Sequence, residues 1–165
     1  AYATTPTSIE AQMPITVRPA GLLIALLLMI SSAGVSEGKQ LFLNVYVDDT
    51  SNKKTLIVGN VDDVSGLPFM NTSSERIYEE NGQLYAVCES LLKDDAQGWV
   101  LNFPANGHYD EYHAVFYIPG NYEFSQINCT PGLEFLSSTY NGTLVLDVQG
   151  FDLTDPTVSL SYHAV

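Results

Sequence analysis

From Leu41 to the C-terminus the chain repeats one rhythm: a strand-length run rich in Val, Ile, Leu, Tyr and Phe, then a turn cluster. In LFLNVYVDD the aliphatic residues Leu41, Leu43, Val45 and Val47 fall on every second position. A period of two sends successive side chains to opposite faces, which suits a half-buried strand and not a helix. The runs TLIVGNV, QLYAVCESLL, GWVLNF, EYHAVFYI, YEFSQINC, GTLVLDVQGFDL and TVSLSYHAV follow. Between them lie Asn81-Gly82, Asp94-Asp95, Asn106-Gly107, Pro119-Gly120-Asn121, Pro131-Gly132 and Asn141-Gly142, the residue types that tolerate or impose turn conformations. About eight strands at short spacing predict an all-β sandwich or barrel. Only Ser73 to Glu80 reads as a short turn of helix.

The N-terminal region follows other rules. Met13 to Gly34 carries one Arg, an apolar run from Leu22 to Ile30 and small residues at Ser31, Ser32, Ala33 and Gly34. Taken alone, that is the form of a secretory signal peptide. The preceding Ala-Tyr-Ala-Thr-Thr also fits the neighbourhood of an Ala-x-Ala cleavage. On that reading the apolar stretch belongs to the finished protein and must be buried somewhere. The run is shorter than the ~18–20 residues that span a bilayer, so no membrane span is expected. Its all-β context favours a strand buried on both faces over a helix.

Just upstream, IEAQMPITV alternates strictly. Ile9, Ala11, Met13, Ile15 and Val17 are apolar, and Glu10, Gln12, Pro14 and Thr16 lie between them. Proline cannot donate to a ladder, so a strand containing Pro14 belongs at a sheet edge. Pro19-Ala20-Gly21 then separates this segment from the next. The expected organisation is an arm over residues 1–19 and one sandwich over 20–165. Terminal arms stay unordered unless tied down, and an exposed amphipathic strand invites aggregation. The expectation is that the arm leaves its own subunit and completes a neighbour's sheet, through main-chain hydrogen bonds and alternating side chains. A head-to-tail contact of that kind builds open filaments.

Composition points outside the cell. The chain has 19 acidic and 6 basic residues, a net charge of −13, which leaves no basic footprint for nucleic acid. Cys88 and Cys129 form an even count in a chain with export features, and a disulfide between them is expected to contribute ~3–5 kcal/mol. N-glycosylation triplets start at Asn71, Asn128 and Asn141, so N-linked glycans are expected. Asn141, in a Tyr-Asn-Gly-Thr turn, is the most accessible of them, and Asn128, followed by Cys129 and Pro131, the least suited.

An alternating N-terminal strand, a β-rich body, few charges and several glycosylation triplets resemble the layout of donor-strand-complemented surface filament subunits. The families nearest in layout are archaeal threads, bundling pilins and cannula proteins; bacterial chaperone–usher pilins share the logic. The resemblance implies a pilin-like or jelly-roll sandwich. It also implies an extracellular, cell-surface homopolymer acting in adhesion, cell–cell contact or biofilm. Ile9, Ala11, Met13, Ile15 and Val17 are the positions it marks as donor residues.

Chemistry is sparse. HYDEYH, His108 to His113, lacks the spacing of a helix-borne zinc motif. On a regular strand its two histidines face opposite ways and cannot share one ion. The acidic pairs Asp48-Asp49, Asp62-Asp63 and Asp94-Asp95 are generic candidates for Ca²⁺, with no EF-hand spacing, and no cofactor is otherwise expected. No nucleophile elbow or phosphate loop occurs, so no enzyme is expected. Two rivals stand beside the filament subunit. One is a monomeric carbohydrate-binding or adhesin module using Trp99 and Tyr-rich loops, and the other a metal-dependent surface enzyme around His108 and His113.

Overall fold

In the computed structural model, which describes residues 38–48 and 53–165, the alternation in LFLNVYV has its expected consequence. Leu41, Leu43, Val45 and Val47 are all buried on one side of β1 (Lys39–Val47). The strands that follow are β2 (Thr55–Val61), β3 (Ser73–Tyr78), β4 (Gln83–Cys88), β5 (Leu92–Asp95) and β6 (Gly98–Pro104). Then come β7 (His108–Pro119), β8 (Tyr122–Cys129), β9 (Glu134–Tyr140), β10 (Thr143–Thr154) and β11 (Thr157–Ala164). Two short 3-10 turns, Val64–Gly66 and Pro68–Asn71, bridge β2 and β3.

The strands form two sheets. One has seven strands in the order β3-β4-β2-β1-β7-β10-β9, the other four in the order β5-β6-β11-β8. All pairings are antiparallel except β1 with β7, where Leu41 faces Tyr112 and Val45 faces Phe116. The chain changes sheet at the β4–β5, β6–β7, β7–β8, β8–β9 and β10–β11 connections. Both sheets therefore depend on one shared core. Phe103 on β6 meets Phe116 on β7 edge-on at 5.5 Å and Phe69 at 5.3 Å. Leu101, Phe103, Val158 and Leu160 of the small sheet are buried with Leu43, Ile57, Ala114, Phe116 and Val148 of the large one. Each large side chain so buried stabilises the fold by ~1.5–3 kcal/mol before ordering costs. The all-β sandwich expectation therefore holds at the level of two sheets around one core.

Turn chemistry is decisive between β9 and β10. Tyr140 pairs with Thr143 across a two-residue turn, Asn141 (φ 48°) and Gly142 (φ 74°). Positive φ at both positions is the signature of the hairpin turn that Asn-Gly favours.

Two expectations need correction. Eleven strands are found among the described residues, against the eight or so expected, and Ser73–Tyr78 is strand β3 and not helix. Three strands had no counterpart among the expected runs: β3, β5 and β9. Each lies at a sheet edge. A strand with one partner and little burial is under weak pressure to alternate, so its sequence carries little signal.

The core separates two kinds of substitution. Phe116→Ala removes a fully buried ring and should cost ~3–5 kcal/mol. Tyr112 is equally buried, but its hydroxyl has no hydrogen-bond partner among the described residues. Tyr112→Phe should therefore leave the urea midpoint unchanged or raise it, because it removes an unsatisfied polar group. A loss comparable to that of Phe116→Ala would show that the hydroxyl is bonded.

Candidate functional site

Four strands cover part of seven, and the four sheet edges differ in kind. β3 carries Glu75 and Arg76 at mid-strand, and β5 is Leu-Lys-Asp-Asp. Charges on an edge discourage another chain from pairing there. β8 and β9 lie on the opposite side of the sandwich, joined by residues 130–133. β8 reads YEFSQINC and β9 reads EFLSSTY. Each has one carboxylate, near its N-terminal end, and none beyond. Glu123 of β8 is held 3.1 Å from His163 on β11.

This sparsely charged side is also thinly covered. Phe124, Ile127 and Cys129 of β8, with Leu133 and Leu144, are only partly buried. All seven residues of β9 are exposed. Phe135 lies opposite buried Val148, and so on the core face of the sheet, yet it is 50% exposed. Leu136 and Tyr140, at 71% each, point outward. β9 overhangs the small sheet, and nothing described covers either of its faces.

No family model, curated protein or solved structure matches this chain. The geometry alone therefore has to carry the reading.

The donor positions Ile9, Ala11, Met13, Ile15 and Val17 lie outside the described residues, as does the run from Leu22 to Ile30. The three sequon asparagines are described and all exposed: Asn71 at the end of a 3-10 turn, Asn128 on β8 and Asn141 at the hairpin tip.

The expected disulfide is not present: Cys88 and Cys129 are both free thiols. The register explains why. Cys88 faces Thr55, which faces Val47 at the far end of β1, whereas Tyr112 faces Leu41 near its start. Cys129 lies close enough to Tyr112 to disfavour its phenolate. Cys88 is thus six β1 positions from the level of Tyr112, or roughly 20 Å along the strand direction. It is also three strand spacings, about 14 Å, away across the sheet. A disulfide needs Cα atoms within about 7 Å. The Cys88 sulfur instead sits 3.1 Å from the Ser90 hydroxyl, and burial pushes the Cys129 thiol pKa upward.

The acidic pairs tie the chain together and do not converge. Asp62 accepts the Gln40 amide at 2.8 Å. Asp63 caps the first 3-10 turn through Ser65 and pairs with Lys39. Asp94 pairs with Lys53, and Asp95 accepts the Ala96 amide at 2.6 Å. Asp48 stands at the end of the β1 ladder, and Asp49 lies outside the described residues. Among the described residues no three His, Cys, Asp or Glu groups converge as a metal site would require.

HYDEYH also differs from expectation. Tyr109 and Tyr112 are both buried, so the two-residue alternation breaks between them. Lys39 pairs with Tyr109 and Gln40 with Glu111, which leaves Asp110 as the extra residue of a bulge. His108 and His113 consequently share the outward face. Each meets carboxylates of its own: His108 lies 3.3 Å from Asp110 and 3.4 Å from Asp152, and His113 lies 2.8 Å from Asp147.

Sequence reasoning passed over β9. Its signal was the β-prone segment EFLSSTY framed by Pro131-Gly132 and Asn141-Gly142.

Two outcomes follow. Unfolding without reductant should expose two thiols per chain to Ellman's reagent; none would restore the bridge. The Asp63 carboxyl is held at about 2 by hydrogen bonds from Lys39 and Ser65. A depressed folded pKa stabilises above the ordinary carboxylate range and is lost as pH falls through about 2. Asp63→Asn should therefore flatten the thermal midpoint between pH 4 and 2, by under about 1 kcal/mol because the pair is partly exposed.

Proposed function

We propose that this protein is the structural subunit of an extracellular surface filament, a pilus or thread serving adhesion, cell–cell contact or biofilm. Its subunits join head to tail by strand donation. The observation that carries the reading is the sparsely charged, half-covered side of the sandwich. β8 ends the four-stranded sheet, and on the same side Leu144 of β10 is only partly buried and β9 is exposed along its whole length. A fifth strand added to β8 there covers Phe124, Ile127, Leu133, Leu144 and Phe135 together.

Residues 9–17 suit that place. Their five apolar side chains fall on one face and contribute ~1.5–3 kcal/mol each on burial, before ordering costs. Pro14 lies on the other face, in a strand that becomes the new edge, where a missing donor is tolerated. The segment contains one charge, Glu10, and β8 one, Glu123, so little electrostatic work opposes pairing. The exposed sequons at Asn71 and Asn141 fit a glycosylated surface and lie off β8, whereas Asn128 stands on β8 itself.

A second reading has its own observation. A shallow pocket on the small sheet is lined by Trp99, Gln97, Ser125, Gln126 and Ser161. The half-buried indole among amide and hydroxyl groups suits a sugar ring, as in a carbohydrate-binding module.

Electron microscopy of the purified full chain should show fibres, and deletion of residues 1–19 should yield monomers. Ile15→Asp should also abolish fibres, while Trp99→Ala should leave them intact. Fibres that persist without residues 1–19 would falsify strand donation. Glycan binding that disappears with Trp99→Ala, in a chain that never polymerises, would favour the second reading.

A further inference from the structure

Strand donation at β8 leaves the free edge of β9 without a partner. We infer that β9 is a second, lateral contact, pairing antiparallel with β9 of another copy about a two-fold axis through Ser137. This inference goes beyond head-to-tail assembly and does not require the arm.

The sequence of β9 is self-complementary in that register. Glu134 faces Tyr140 of the other copy, Phe135 faces Thr139, Leu136 faces Ser138, and Ser137 faces itself. Side chains keep their faces. Phe135, Ser137 and Thr139 lie opposite Val148, Leu146 and Leu144 of β10, on the core side, in both copies. Leu136 and Tyr140 lie opposite Asp147 and Thr143, on the outer side. Directly opposed residues in a sheet share a face, so each Phe135 packs on a Thr139, a favourable aromatic–β-branched pair. Leu136 is flanked diagonally by the other copy's Leu136 and Tyr140. The pairing thus buries apolar groups that the isolated chain leaves 71% exposed.

Charge selects the same register. The two Glu134 carboxylates end up at opposite ends of the contact, roughly 20 Å apart. A parallel in-register pairing would set them side by side, which costs stability. Small Ser137 and Ser138 at the centre let the backbones approach, and the tight Asn141-Gly142 turn keeps the hairpin end clear of the ladder. β3 and β5 offer no equivalent, because their charges stand at mid-strand. The contact is isologous and closes, so two seven-stranded sheets become continuous and neither β9 edge stays open. An edge this short makes a small interface, weak between free chains and strong when many copies are arrayed along filaments. Side-by-side bundling is its consequence.

Single cysteines in the full chain test the register, with the unsubstituted chain as control for Cys88 and Cys129. A short bismaleimide should cross-link Ser137→Cys into dimers and fail with Glu134→Cys. Charge provides a second readout. Ser137→Lys and Ser137→Glu should each sediment as species that have lost the lateral contact, and mixing them should restore it. Equal cross-linking at positions 134 and 137, none at either, or no effect of Ser137→Lys overturns the lateral contact. Fibres without the Ser137 cross-link leave strand donation standing and reject only the pairing of β9. The cross-link without fibres does the reverse.

Discussion

The packing of Phe103 on Phe116 fixes how the two sheets meet, and it fixes their mismatch as well. Four strands cannot cover seven, so the outer strands of the larger sheet are left without a roof. The overhang falls on β3 at one side and β9 at the other, and both are almost wholly exposed. An apolar core can be sealed at such a margin by a charged strand that turns to solvent, or left for another chain to seal. β3 and β5 take the first course with Glu75, Arg76, Lys93, Asp94 and Asp95. β8 and β9 carry one carboxylate each, near their N-terminal ends, and leave the rest of that margin apolar or neutral.

The acidic surface sharpens that contrast. A net charge of −13 keeps copies apart at long range, yet at physiological salt the repulsion is screened within about 8 Å. Main-chain pairing acts at shorter range than that. Several carboxylates also spend themselves within the subunit: Asp62 and Asp63 pin the start of β1, and Asp147 and Glu123 face His113 and His163 across neighbouring strands. They tie neighbouring strands together, and of the four only Glu123 lies on an edge strand of the open side, near the start of β8.

How far the fold could be read in advance depended on how many neighbours each strand has. β1 lies between β2 and β7 and against the small sheet, so Leu41, Leu43, Val45 and Val47 had to alternate, and they announce the strand. The Asn141-Gly142 turn was equally legible, because few residues accept two positive φ angles in succession. β9 has one neighbour and no cover, so nothing forced a pattern on EFLSSTY. The bulge at Asp110 was illegible for a related reason. A single unpaired residue changes no composition, yet it turns both Tyr109 and Tyr112 to the core, where strict alternation allows only one. The cysteines misled because an even count says nothing of distance. Only the register shows Cys88 and Cys129 far apart in the sandwich.

The two edges of the open side ask for different partners. At β8 the strand we propose would lie beneath an overhang, so it needs one greasy face and can be polar on the other; a strand with proline on its polar face meets that demand and stops further growth. At β9 both faces are open to water, and an added strand gains no deep burial on either side. What it gains is backbone pairing and modest side-chain contacts, which favours a partner that is already folded and loses no chain entropy on docking. Another copy's β9 is such a partner, whereas a segment that must be ordered on docking would lose more than the edge returns. That asymmetry between a roofed edge and an open one is the reason we propose the arm for β8 and a folded neighbour for β9.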